Sequence, residues 1–420
     1  MPDSPVPAPP VRRRRVLYVS GFDPQGPARY HRLYREQAQA QAAVSGHRIE
    51  VGPRKRVSPQ VDAWDIEAQI EGATCHTRYE FLRWDDVVRA NWMPGHARYL
   101  MATLGATWRF AASGVLWRMF KGSRSGFWVC FGPFAVLLFI VAVAALLAGG
   151  ALAAWRWTGA STWTAVAGLL AIAGGWALAR LSRTAENDWF MGWVMRSYWF
   201  TSRQAREDTP DLDARLDAHA TYLLEALADR SVDEVLLVGH SSGAMMAMIV
   251  AARAAARSPE ALQDPRLGLL TLGQCFPILS FQPQARRFRR EIAITANALG
   301  ERWLDFTAPA DRCCAALVDP AEAVLGMDGI ECASPKVLSP QFHQLFTPQG
   351  YAALRRNLYE LHFQYLKAGE LPGAYDYFAI TAGPRTLAGR FAAQPGVRDW
   401  RGLQCLGGPF PHLRHTSAAG

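Results

Sequence analysis

Ser241 stands in the stretch Gly239-His240-Ser241-Ser242-Gly243, directly after Val235-Leu236-Leu237-Val238. Four consecutive Val and Leu residues predict a short strand buried on both faces. Residues 244–253 are largely helix formers, and Ser258-Pro259 stops the run. A serine on so tight a strand-to-helix turn is held out at the strand end on strained backbone, and glycines two residues to either side remove the Cβ atoms that would clash. The Ser242 N–H and the helix N-terminus then face any oxyanion formed beside the hydroxyl. The chemistry this pattern offers is attack by a serine oxygen on a carbonyl carbon.

Strand, Gly-x-Ser-x-Gly and helix together resemble the α/β-hydrolase fold, in its serine esterase and lipase branch. The resemblance implies an α/β fold with a mostly parallel sheet flanked by helices. It also implies cleavage of carboxylic esters through an acyl-enzyme, with no cofactor. A serine needs a base and an orienting carboxylate, and in this family they follow in the order Ser, acid, His on loops after later strands. Residues 302–306 read as a strand and 307–311 as the loop after it, which makes Asp311 the acid. Asp305 competes but lies within the strand, and Asp319, before Pro320, is a third choice. Lys336-Val337-Leu338 reads as a strand and 339–343 as its loop, which makes His343 the base. His362, in an apparently helical stretch over 351–365, is the runner-up, and His240 occupies the x position without acting as base. An early strand, Val16-Leu17-Tyr18-Val19, runs into Ser20-Gly21-Phe22, so the Ser242 and Phe22 amides form the expected oxyanion hole. An ordinary strand-to-helix turn at 20–22 reads equally well. A thioesterase or acyltransferase would use the same residues, and a catalytically silent scaffold or binding module that kept the turn is the competing expectation.

The elements that must position these residues divide the chain into a disordered tail (1–14), a first part of the hydrolase domain with an amphipathic helix (15–125), an inserted transmembrane helical hairpin (126–182), the catalytic part (183–400) and a loose C-terminal tail (401–420). Before the hairpin, 30–44 reads as a helix and 47–51 and 76–84 as strands, with Asp85 and Asp86 as solvated loop charges. Residues 96–121 mix Leu and Trp with Arg, as would a helix lying on a bilayer or on the core. After the hairpin, Thr209-Pro210-Asp211 opens a helix that feeds the Val235 strand. In related folds a lid is inserted at this point of the chain; in residues 274–300 Phe276, Ile278 and Phe281 could line an acyl pocket and Arg286, Arg287, Arg289 and Arg290 could meet lipid headgroups, and a basic solvated helix reads equally well. Residues 375–381 read as a late strand or packed extension.

No charged residue occurs over 126–155, more than the roughly 20 residues a spanning helix needs, and 161–179 is a second uncharged span. Gly168, Gly174 and Gly175 would let the two pack closely. Arg118, Lys121 and Arg124 precede the hairpin, Arg180, Arg183 and Arg196 follow it, and only Arg156 lies in the link, so the catalytic domain and both termini are expected in the cytoplasm. A charged fraction of 19% and 15 Trp fit membrane contact. The net charge of +9 comes without a nucleic-acid-binding motif, so the expected partners are the bilayer and a lipid or lipophilic ester, not nucleic acid. Seven scattered cysteines without a C-x-x-C pair read as reduced thiols and no metal site.

Overall fold

The computed structural model describes residues 9–92, 95–122, 124–159, 162–187, 190–324 and 327–397. Its centre is a nine-stranded mixed sheet. The strands are β1 (Arg13–Val19), β2 (Arg48–Val51), β3 (Lys55–Ser58), β4 (Val61–Ile70), β5 (Ala73–Leu82), β6 (Glu234–His240), β7 (Leu267–Leu272), β8 (Trp303–Phe306) and β9 (Lys336–Leu338). Their order is β2-β4-β5-β1-β6-β7-β8-β9, with β3 paired to β4. From β5 through β9 every neighbouring pair is parallel, while β2, β3 and β5 run antiparallel to β4.

Val16, Leu17, Tyr18 and Val19 are sealed from solvent, as a central parallel strand requires. Alternate side chains enter two cores. Leu17 and Leu237 face one with α8 (Pro210–Ala228) and α9 (Ser242–Arg257), and Tyr18 and Leu236 face the other with α1 (Pro27–Ser45). The chain leaves β1 toward β5 on one side and β6 toward β7 on the other. The crevice at the carboxyl ends of β1 and β6 is therefore the topological switch point, where open α/β sheets bind ligands.

Several expectations change. The N-terminal tail is shorter than 1–14: Val11 is buried, its N–H donates to the Pro384 carbonyl, and Arg14 is a buried partner of Glu234 at 2.6 Å. The β4–β5 hairpin was not expected as such. It turns on Glu71 and Gly72 at φ 53° and 78°, the conformation of a two-residue primed turn. Asp85 is buried and paired with Arg83 and Arg89 at the start of α2 (Asp85–Ala90), and Asp86 pairs with Arg215. The amphipathic stretch is two helices, α3 (His96–Ala112) and α4 (Val115–Gly122), separated at Gly114, which adopts φ 75°. Phe110, Val115 and Met119 pack into the core while Trp108 and Trp117 remain exposed.

The hairpin is α5 (Arg124–Thr158) and α6 (Thr162–Asn187), followed by α7 (Phe190–Gln204). A Cβ on Gly174 would lie 3.1 Å from the Ala144 Cβ, so the helices meet closely there. Among the described residues, one helix is long and apolar enough to cross a membrane, over Val141–Thr158, and the apolar part of α6, Thr162–Ala177, is shorter. Phe139, Leu146, Leu169 and Ile172 are exposed, unlike the side chains of a core helix. Arg196 is buried against the Trp92 ring and Arg118 donates to the Phe281 carbonyl, so part of the basic flank belongs to the fold.

The stretch after β7 is α10 (Phe276–Ser280) and α11 (Arg286–Leu299). Phe276, Ile278 and Phe281 are core residues, and Arg289 is buried on Asp328 and the Ser280 and Gln282 carbonyls, so neither the acyl-pocket nor the headgroup expectation holds for them. Residues 351–365 contain the end of α12 (Pro348–Leu354) and α13 (Leu358–Phe363), with Asn357 capping the second through Glu360 N–H. Of the two readings of 375–381, the packed extension holds and the late strand does not: the segment forms a buried helix, α14 (Tyr377–Ala382). Residues 401–420 and Cys405 lie outside the described residues.

Candidate active site

Ser241 sits between β6 and α9 at φ 59° and ψ −129°, a conformation that costs a non-glycine residue energy and that only a rigid surround sustains. The surround is backbone. A Cβ on Gly239 would come 2.3 Å from the Gly243 carbonyl oxygen, and one on Gly243 would come 2.3 Å from that of Val19. Both glycines are needed because α9 presses on the ends of β6 and β1. A Cβ on Gly21 would lie 3.5 Å from Ser241 Oγ, so the β1 loop flanks the hydroxyl directly.

Asp311 follows β8 as expected and is buried, but its partner is His362. His362 Nδ1 lies 2.8 Å from Asp311 Oδ2 at the end of α13. Tyr365 donates to the same oxygen at 3.2 Å, and the Cys313 N–H donates to Oδ1 at 2.9 Å. Burial pushes the Asp311 carboxyl up, but the His362 charge, with the bonds from His362, Cys313 and Cys314, outweighs it and holds the group below its ordinary value. A carboxylate so placed fixes the ring with Nδ1 protonated and leaves Nε2 as acceptor.

His343 is not in the site. Gln341 takes a left-handed conformation after β9 and Phe342 turns into the core, which leaves His343 exposed beside the Tyr351 ring. Asp305 is committed to Thr271 and Gln274, and burial raises its carboxyl to about 8. Asp319 accepts from the Ala321 and Glu322 amides. The sign of His362 in the sequence is faint: a histidine set among Leu361, Phe363, Tyr365 and Leu366, five residues after Asn357, the cap of α13.

Ser241 and His362 line one cavity of about 40 Å³, together with Phe22, Trp193, His240 and Cys313. The Phe22 N–H donates to Ser242 Oγ at 2.8 Å, so this expected oxyanion donor is held by a hydroxyl one residue beyond Ser241. The Phe22 carbonyl accepts from the Trp193 indole of α7. His240 donates from Nε2 to the His362 carbonyl at 2.9 Å, and burial together with the nearby His362 lowers it to about 3, so it stays neutral. Asp23, missed in the sequence, also lines the cavity; burial raises its carboxyl against the pull of Arg29, and Tyr30 donates to it at 3.0 Å. A wider groove at the opposite end of the sheet is walled by Arg15, Arg78 and Glu80, already paired with one another.

The donor atoms of Asp311, Cys313 and His362 lie within 4.8 Å of one another. Comparison of the chain with family models, with curated proteins and with solved structures finds no match.

Proposed function

We propose that this protein is a serine hydrolase of the α/β-hydrolase kind that cleaves carboxylic esters and is anchored to a membrane by α5 and α6. Ser241 attacks the ester carbonyl while His362 Nε2 takes its proton, and the imidazolium returns that proton to the leaving alcohol. Asp311 orients the ring and balances its charge. The Ser242 N–H, first in α9 and without an intrahelical partner, receives the oxyanion, and the Phe22 amide turns from the Ser242 hydroxyl to join it. Water then attacks the acyl-enzyme with His362 again as base. The observation that carries this reading is the strained Ser241 in one cavity with a buried His362–Asp311 pair. Thioester cleavage or acyl transfer would use the same groups.

The exposed apolar surface of α5 and α6 supports two membrane passages, and the excess of Lys and Arg outside the link supports cytoplasmic placement of the sheet. A lipid or lipophilic ester is the substrate such an anchor favours. The deciding experiment is labelling of the full-length protein by a fluorophosphonate probe. Labelling and ester turnover are expected to disappear in Ser241→Ala while the fold persists. Labelling that survives in this variant moves the nucleophile elsewhere, and a correctly folded wild type that never labels favours the silent scaffold.

A further inference from the structure

The groups around the base also form a ligand set of another kind. Carboxylate oxygen, thiolate sulfur and imidazole nitrogen are the donors zinc takes, and three of them with one open position make a familiar coordination sphere. We propose that Asp311, Cys313 and His362 form a regulatory site for Zn²⁺ or a similarly thiophilic divalent cation, which blocks the Ser241 chemistry by occupying the base. The inhibitory effect rests on the serine-hydrolase reading, whereas binding of the cation does not.

Geometry supports the set. The three donor atoms already lie within 4.8 Å of one another. The 2.8 Å between His362 Nδ1 and Asp311 Oδ2 must open to roughly 3.3 Å, the spacing of two ligands about 2.0 Å from a tetrahedral ion. Charge supports it as well: one carboxylate and one thiolate neutralise a dication where Asp311 and His362 are 1% and 3% exposed. The outer contacts are in place. Tyr365 O–H and the Cys313 N–H hold the carboxylate, and His240 holds the His362 backbone. Cys313 and His362 line the cavity, which gives the ion its route in. The absence of a C-x-x-C pair has no bearing here, because the ligands come from the loop after β8 and from α13.

The proton balance explains the inhibition. Binding releases the Cys313 thiol proton to solvent. The ion replaces the proton on Nδ1, and the neutral ring carries that proton on Nε2 instead. The ring can then accept nothing from Ser241.

The test is a Co²⁺ titration of the full-length, reduced protein in detergent. A thiolate-to-cobalt absorption in the near ultraviolet is expected, displaced by one equivalent of Zn²⁺. It should be lost in Cys313→Ala and in Cys313→Ser, which keeps the side chain's size, and retained in Cys275→Ala, which removes the other thiol of the cavity. Tyr365→Phe should weaken binding about tenfold. No band in the folded wild type, or an equal band in both Cys313 variants, overturns the site. As a second readout, Zn²⁺ should slow fluorophosphonate labelling at least about tenfold in wild type and Cys275→Ala, but not in the Cys313 variants, each against its own metal-free rate. Equal slowing in all of them refutes regulation through this trio. A protein that never labels removes the hydrolase reading and leaves the cobalt titration to decide the site.

Discussion

His362 Nδ1 faces Asp311 Oδ2 at 2.8 Å across 51 residues of chain, with both side chains sealed from solvent. A buried imidazole tied to a buried carboxylate has one ring nitrogen left for chemistry. His362→Ala is therefore expected to lower kcat by about 10³-fold or more, leaving a residual rate from binding and oxyanion stabilisation. His343→Ala, on the exposed turn after β9, should stay within about twofold of wild type by the same ester assay, since surface changes away from the site rarely matter. The reverse ranking would return the base to His343.

Trp193 gives a prediction about substrate size. Its indole donates to the Phe22 carbonyl, and its ring packs on Tyr359 and Phe363 at 5.9 and 6.2 Å, roofing a cavity of about 40 Å³. Trp193→Ala should raise the ratio of octanoyl to acetyl ester turnover by about tenfold, because the vacated volume accepts further methylenes. A chain-length profile identical to wild type would mean that another wall sets the limit.

Stability should fall in mild acid for a reason outside the site. Burial, then the neighbouring Arg215, lowers His219 to about 3, while the unfolded chain holds a histidine near 6.5. Between these values the unfolded state binds a proton that the folded state refuses. Stability is thus full above about 6.5 and declines as pH drops, by up to about 1.4 kcal/mol per pH unit. The difference in Tm between His219→Leu and wild type should move in favour of the variant from pH 7 to pH 5. A constant difference would show that His219 titrates alike in both states.

For the hairpin, a membrane-impermeant thiol reagent added outside intact cells should reach a cysteine placed at Gly159, in the link, but not one placed at Asp208. Labelling at Asp208 from outside would mean the opposite orientation or a single passage.

What the sequence discloses here follows how local each feature is. The 235–243 turn could be read because every constraint on it lies within a few residues: a Val and Leu strand, two glycines and a helix start. The surround of Ser241 adds only the β1 backbone pressing on Gly243. Asp311 could be placed because a short strand and its loop are local as well. The histidine that pairs with Asp311 could not, because α13 reaches Asp311 only through tertiary packing, and a loop position after β9 favours His343 over a histidine on a helix. The β4–β5 pair was obscured by Glu71-Gly72, in which glutamate takes a conformation usually left to Asn or Asp. Helices α10 and α11 carry phenylalanines and arginines whose destination, core or pocket, depends on which face meets α9.

The pairing of β1 with β6 has a consequence for how the protein is made. On one side β1 meets β5, which leaves the ribosome soon after it, but its other edge waits for β6, about 150 residues beyond Leu82. At about 5–20 residues per second, that edge stays unsatisfied for roughly 8–30 s after β5 is complete, with the apolar α5 and α6 emerging in the interval. A nascent chain in this state presents an open strand edge and two greasy helices together, the combination most prone to misassociation. Biogenesis of this protein therefore depends on covering the hairpin promptly, before the second half of the sheet exists.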